Sequence, residues 1–218
     1  MALMLHTLSG SPFGWKVQLA LNHLTVPHEL ALLSPDRGDT RQPCFLALNP
    51  HGKLPVIVDG DLVLYESDVI VEYLEDAYRK SAPSLWPAGT AGRALARRIA
   101  AEVSAYLYPP VRMLVSRWVS RPEPELGRPE LEQVKQAIAR FLEAFANVTP
   151  DAFVASDRPG AADYAMYPFV ALLRRLDSRR PGEALTALIP APLLRWARRV
   201  EALPYFERTY PPHWRSSP

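Results

Sequence analysis

The rhythm of apolar and polar positions changes along this chain. Leu3-Met4-Leu5-His6-Thr7-Leu8 is a short apolar run closed by Ser9-Gly10-Ser11-Pro12, which predicts a strand and then a turn. From Trp15 to His23, and on to Leu24, the residues Val17, Leu19, Ala20 and Leu21 recur at helical spacing. His28-Glu29-Leu30-Ala31-Leu32-Leu33 returns as a second strand. Two strands joined by a helix over so short a stretch predict a right-handed βαβ unit. Residues 34–43 are polar and irregular, and Phe45 to Leu48 reads as a helical turn. Leu54-Pro55-Val56-Ile57-Val58 predicts a strand with proline at its opening, one of the few places a sheet accepts one. Asp59-Gly60 between two β-rich runs is a strong hairpin signal. The amphipathic run Val69, Ile70, Val71, Tyr73 and Leu74 then predicts a helix from Asp68 to near Tyr78, with Ser67 placed to cap it.

Beyond residue 80 the alternation stops. Lys80 to Pro87 has the composition of a linker. Residues 89–108 and 130–149 contain no proline and are rich in Ala, Leu, Arg and Glu, so they predict helices, with shorter ones at 161–176 and 193–203. The pair Pro109-Pro110 should kink the first of these. Pro211 to Pro218 reads as a loose tail. The expected architecture is an α+β, thioredoxin-like domain over 1–80 followed by an all-α domain over 89–218.

Composition narrows the classes. Of 218 residues 48% are hydrophobic, enough to bury a core. The 25 basic and 23 acidic residues leave a net charge of +2, too balanced for a nucleic-acid binder. The one cysteine, Cys44, allows no disulfide within the chain and reads as a small core residue. There is no CxxC, so a thioredoxin-like half could do no dithiol chemistry with its own thiols. No apolar run is long enough to cross a membrane, and Met1 to His6 lacks the pattern of a signal peptide. The expectation is a cytoplasmic protein without membrane or nucleic-acid partners. None of the histidines has a partner at metal-ligand spacing, so no metal is expected.

A helix end beside a strand-opening proline is a ready anion site. The order of proline-led strand, Asp59-Gly60 hairpin and Glu66-Ser67 at a helix start resembles the glutathione-binding half of the glutathione transferases. The resemblance implies that Leu54-Pro55 is cis and that the Leu54 backbone pairs with the cysteinyl part of glutathione. It implies that Glu66 and Ser67 hold the γ-glutamyl end and that Lys53 reaches the glycyl carboxylate. Ser9-Gly10-Ser11-Pro12-Phe13-Gly14-Trp15-Lys16-Val17 resembles the active-site loop of the serine-type classes, theta and zeta among them. Aligned on Trp15-Lys16-Val17, Ser11 takes the place of the catalytic serine, which donates a hydrogen bond to the glutathione thiolate; Ser9 is the competing candidate. Phe153 to Asp163 resembles the family's capping box, with Gly160 where Ser or Thr is usual and Asp163 still able to accept the Gly160 backbone N–H.

The resemblance further implies a pocket for a small hydrophobic electrophile, with Tyr106, Tyr108, Arg112 and Trp118 as lining residues, and a homodimer, with Tyr65, Tyr73 and Tyr78 near its interface. Glutathione would be co-substrate. Two rival functions stand beside the transferase. One is a glutathione-dependent isomerase of the maleylacetoacetate type, against which Pro12-Phe13 counts because that class carries a Ser-Ser-Cys loop. The other is a non-catalytic protein that kept the fold for binding or regulation.

Overall fold

A computed structural model of the chain describes residues 2–120, 126–147 and 152–215. The described residues divide into two compact units, 2–85 with 204–215, and those within 86–203. The first holds β1 (Leu3–Thr7), α1 (Pro12–His23), β2 (His28–Leu32), the short α2 (Pro43–Leu46), β3 (Val56–Asp59), β4 (Leu62–Tyr65) and α3 (Ser67–Tyr78). The strands form one sheet in the order β2-β1-β3-β4, with β1 parallel to β2 and the other pairs antiparallel. This is the βαβ-ββα arrangement the pattern predicts.

Helix α1 packs hard against β1. Gly14 makes this possible: a Cβ there would stand 1.9 Å from the Thr7 hydroxyl oxygen. Its buried face carries Trp15, Val17, Leu19, Ala20 and Leu21. On the far side of the sheet end, Tyr73 and Tyr78 of α3 both donate to Asp59 Oδ2, at 2.6 and 2.5 Å, which pushes the Tyr78 phenol up to about 12. Two expectations need correction here. Cys44 is exposed, because α2 turns only Phe45 into the core. Residues 211–215 are no loose tail: Pro212–Trp214 forms a 3-10 turn that packs within this unit, on Trp15 among others. Residues 216–218 of that stretch lie outside the described residues.

The second unit is helical: α4 (Thr90–Glu102), α5 (Tyr108–Val115), α6 (Arg128–Glu143), α7 (Ala161–Arg179) and α8 (Ala191–Glu201). The first predicted helix is not broken at Pro109-Pro110. A π-helical turn at Val103–Leu107 precedes the prolines, which sit in the first turn of α5, where a missing N–H costs least. The helix predicted over 130–149 runs from Arg128 to Glu143; its last expected residues, 148 and 149, lie outside the described residues. One more short helix, α9 (Phe206–Thr209), belongs to the first unit.

The helical core is organised by a carboxylate. Asp163 Oδ2 accepts the Gly160 N–H at 3.0 Å, as the capping pattern led one to expect. Its Oδ1 also accepts the Val154 N–H at 2.9 Å and the Trp196 indole N–H at 2.7 Å. Burial pushes this carboxyl up to about 6, against the opposing pull of those donors. The folded value lies above the ordinary one of about 3.9. Its proton therefore favours the folded state: that contribution is full below pH ~4 and disappears as pH rises through about 6. Asp163→Ala should cost roughly 2–4 kcal/mol, because it strands buried N–H donors at about 1–3 kcal/mol each. Urea unfolding between pH 4 and 7 should show the loss, and the variant's stability should fall less than the wild type's across that range.

Candidate functional site

The sheet register decides where the loops meet. β1 pairs with β3 as Met4↔Val58 and His6↔Val56, so β1 ends at the edge where β3 begins. β3 pairs with β4 as Val56↔Tyr65, so β4 ends at that edge too. The three segments just beyond are Leu8 to Ser11, Lys53 to Pro55, and Glu66 to Ser67. Helices α1 and α3 both start from this edge, and a helix start carries partial positive charge.

The first segment is a tight turn. Ser11 N–H donates to the Leu8 carbonyl at 3.0 Å, and Gly10 takes φ +81° at the third position, where a positive φ favours glycine. Ser11 is the N-cap of α1: its carbonyl accepts the Trp15 N–H at 2.8 Å, and its hydroxyl makes no capping bond. Ser9 Oγ lies 3.2 Å from His213 Nδ1. The two candidate serines thus differ in their commitments.

The second segment is shaped by Asn49. Its side-chain amide donates to the Lys53 carbonyl at 2.8 Å while its Oδ1 accepts the His51 N–H at 3.0 Å, which folds the loop ahead of Leu54. The Leu54-Pro55 peptide is cis. Lys53 is exposed and Pro55 buried.

The third segment corrects the sequence reading by one residue. Ser67 is not the cap of α3 but its first helical residue, and it is buried; Glu66 holds the cap position without a side-chain capping bond. Glu66 does so at φ +69°, ψ 106°, a conformation that costs a non-glycine residue of order 1–3 kcal/mol. A strained residue is retained where the surroundings fix it, most often at a ligand site.

Between the two helix starts lies a group that sequence reasoning missed. Lys16 projects from α1 with its side chain 3% exposed, and its Nζ lies 2.7 Å from Asp68 Oδ1, in the first turn of α3. Burial lowers the ammonium's pKa, while Asp68 and, more weakly, Glu66 raise it. A lysine among the apolar positions of α1 was the signal available in the sequence. The pair ties α1 to α3.

The residues expected around an electrophile lie in the helical unit. Tyr106 and Arg112 are exposed, and Tyr108 meets the edge of Phe169 at 6.2 Å. Trp118 has a different neighbourhood: Arg180 stacks on it at 4.9 Å, in a cleft with Leu126, Arg128, Leu131 and Glu183. Among the described residues no cluster of His, Cys, Asp and Glu could hold a metal, and no helix is long and apolar enough to cross a membrane.

Comparison with known proteins agrees with this geometry. Residues 5–82 match the glutathione S-transferase N-terminal domain and residues 107–204 the glutathione S-transferase C-terminal domain. Glutathione S-transferase 3 of Zea mays is 30% identical over 95% of this chain and 92% of its own length. Maleylacetoacetate isomerase of Pseudomonas aeruginosa is 32% identical over 100% of this chain and 99% of its own. The crystal structure of a glutathione S-transferase from the Antarctic clam Laternula elliptica superposes with a TM-score of 0.79 at 27% identity, covering 100% of this chain and 95% of that one. Both domain models, relatives matched along their full length and a shared fold lead to one conclusion: the chain belongs to the glutathione S-transferase family of enzymes.

Proposed function

We propose that this protein is a serine-type transferase that adds glutathione to small hydrophobic electrophiles, a detoxifying reaction. What carries the reading is the Ser11 hydroxyl, at the start of α1 and free of any capping bond. Glutathione lies along the sheet edge, its γ-glutamyl end at Glu66 and Ser67, its cysteinyl part against the Leu54 backbone beside Pro55, and its glycyl carboxylate toward Lys53. Ser11 donates its hydroxyl proton to the sulfur. The thiol proton leaves to solvent, the thiolate forms a carbon–sulfur bond with the electrophile, and the leaving group departs with the electron pair. Tyr106, Tyr108, Arg112 and Trp118 stand as lining residues for the electrophile.

Magnitudes favour the hydroxyl as the main local term. A free thiol has a pKa near 8.5, so little thiolate exists at neutral pH, and each unit of lowering needs about 1.4 kcal/mol. A helix start contributes about 0.3–1 kcal/mol. A hydrogen bond to a charged group contributes roughly 1.5–3 kcal/mol.

The full-length likeness to a maleylacetoacetate isomerase supports a second reading, in which the same thiolate adds to a double bond, allows rotation and is expelled. Activity toward maleylacetoacetate and none toward aromatic electrophiles would select it. A folded protein inactive in both assays would select the binding or regulatory reading. The protein acts in the cytoplasm.

A homodimer completes the proposal. Tyr73 and Tyr78 are engaged with Asp59, so the support now comes from exposed Leu62 and Val63 on β4 and Val69 on α3, at 39, 36 and 50% exposure. Sedimentation should give twice the chain mass at micromolar concentration, and a monomer there would refute it.

Ser11→Ala should lower turnover about ten-fold or more and move the alkaline-rising limb of the pH–rate profile up by about a unit, with glutathione affinity little changed. Should Ser9→Ala do this instead, the hydroxyl is assigned to the wrong serine. Ser67→Ala should weaken glutathione binding by roughly 1–3 kcal/mol in calorimetry, with unchanged affinity ruling the γ-glutamyl site out.

A further inference from the structure

The turn that ends at Ser11 has only two central residues, Ser9 and Gly10, and each is met by one of two consecutive residues from the far end of the chain. Ser9 Oγ lies 3.2 Å from His213 Nδ1. The indole of Trp214 lies so close to Gly10 that a Cβ on that glycine would stand 3.1 Å from its ring atoms. A turn built on glycine at positive φ rotates its central peptide easily, because glycine restrains φ least. Packing and a hydrogen bond on its two central residues oppose that rotation.

The segment that supplies them is itself anchored in the first unit. Trp15 donates its indole N–H to Thr209 Oγ1 at 2.9 Å, and Thr209 Oγ1 donates to the Phe206 carbonyl at 2.8 Å. The Trp214 ring meets Trp15 edge-on at 5.5 Å and 86°, and Tyr210 at 6.2 Å and 87°. Arg215 donates to the Glu207 carbonyl at 3.0 Å and its carboxylate at 2.6 Å, which ties the end of the segment back to α9. Phe206 and Thr209 are buried.

We propose that Trp214, with His213 beside it, is a positioning residue: the strap from Pro204 to Arg215 holds the Ser9-Gly10 turn and thereby the direction of the Ser11 hydroxyl. This rests on the assignment of Ser11 as the thiolate's donor. The hydroxyl makes no capping bond, so its place is set by its backbone, and that backbone is set by the turn. Trp214 acts through the turn, with no contact to sulfur required.

The test compares Trp214→Ala, Trp214→Phe and His213→Ala with the wild type by steady-state kinetics, glutathione calorimetry and amide hydrogen exchange. Trp214→Ala should lower kcat about ten-fold, as a misplaced catalytic group does, and raise the pH–rate midpoint, while the KM for glutathione stays within about two-fold. Amides of residues 9–14 should exchange faster in that variant. Trp214→Phe, which keeps a ring against Gly10, should recover most of kcat, and His213→Ala should show a smaller loss of the same kind. Unchanged exchange over 9–14 overturns the proposal, and so does faster exchange with kcat and pH profile intact. A fall of apparent kcat no larger than the loss of folded protein, with KM and the pH profile unchanged, also overturns it; if Trp214→Ala does not fold, His213→Ala and Trp214→Phe decide by the same readings. If the wild type proves inactive with every electrophile, the transferase reading fails by itself, and exchange over 9–14 still decides whether the strap holds the turn.

Discussion

β3 runs antiparallel to β1, and the site follows from that pairing. An antiparallel neighbour begins where its partner ends, so the turn after β1 and the loop before β3 reach the same edge of the sheet. The hairpin to β4 brings the chain back to that edge once more, and α3 starts there. Had β3 been parallel to β1, the Leu54-Pro55 segment would lie at the opposite edge from Ser11. Gly14 adds a second constraint, because only a residue without a side chain lets α1 begin so close to Thr7. Topology gathers the segments, and close packing brings a helix start within their reach.

Charge then ties the two helix starts together. Two helix starts face it, and the Lys16 ammonium is buried between them. Taking an ammonium out of water is costly unless it is paired. Asp68 supplies the pairing while staying 49% exposed, so the anionic partner remains hydrated and the cationic one does not. Glu66 is held at positive φ next to this pair.

The parts of this structure that were legible in the sequence are those written in short-range signals. The Asp59-Gly60 hairpin, the helix after Pro12 and the Gly160-Asp163 cap are each decided within a few residues, and each is present. Errors began where a long-range contact decides. Ser67 was read as a cap because Ser favours that place, yet the chain leaves β4 in a conformation that makes Glu66 the cap. Cys44 looked like a core residue by type, but α2 is too short to bury more than one face. Proline spacing marks Pro109-Pro110 as a disturbance of the helix and could not foretell the π-helical turn that precedes them. Trp196 and Asp163 meet across a long stretch of sequence, as do Lys16 and Asp68, and no local pattern connects either pair. The stretch after Pro211 differs from expectation for the same reason: its prolines signal irregular backbone, and irregular backbone can still be packed.

The first unit is discontinuous, and this gives it a schedule. A ribosome delivers residues 1–85 before the helical unit and residues 204–215 after it. Domains generally fold as they emerge, amino-terminal ones first. The sheet, α1 and α3 can therefore assemble while the helical half is still being made. The apolar surface of Trp15 that Phe206, Tyr210 and Trp214 will cover waits until the helical half has been made. During that interval the nascent chain displays this aromatic surface, and residues 206–214 then cover it.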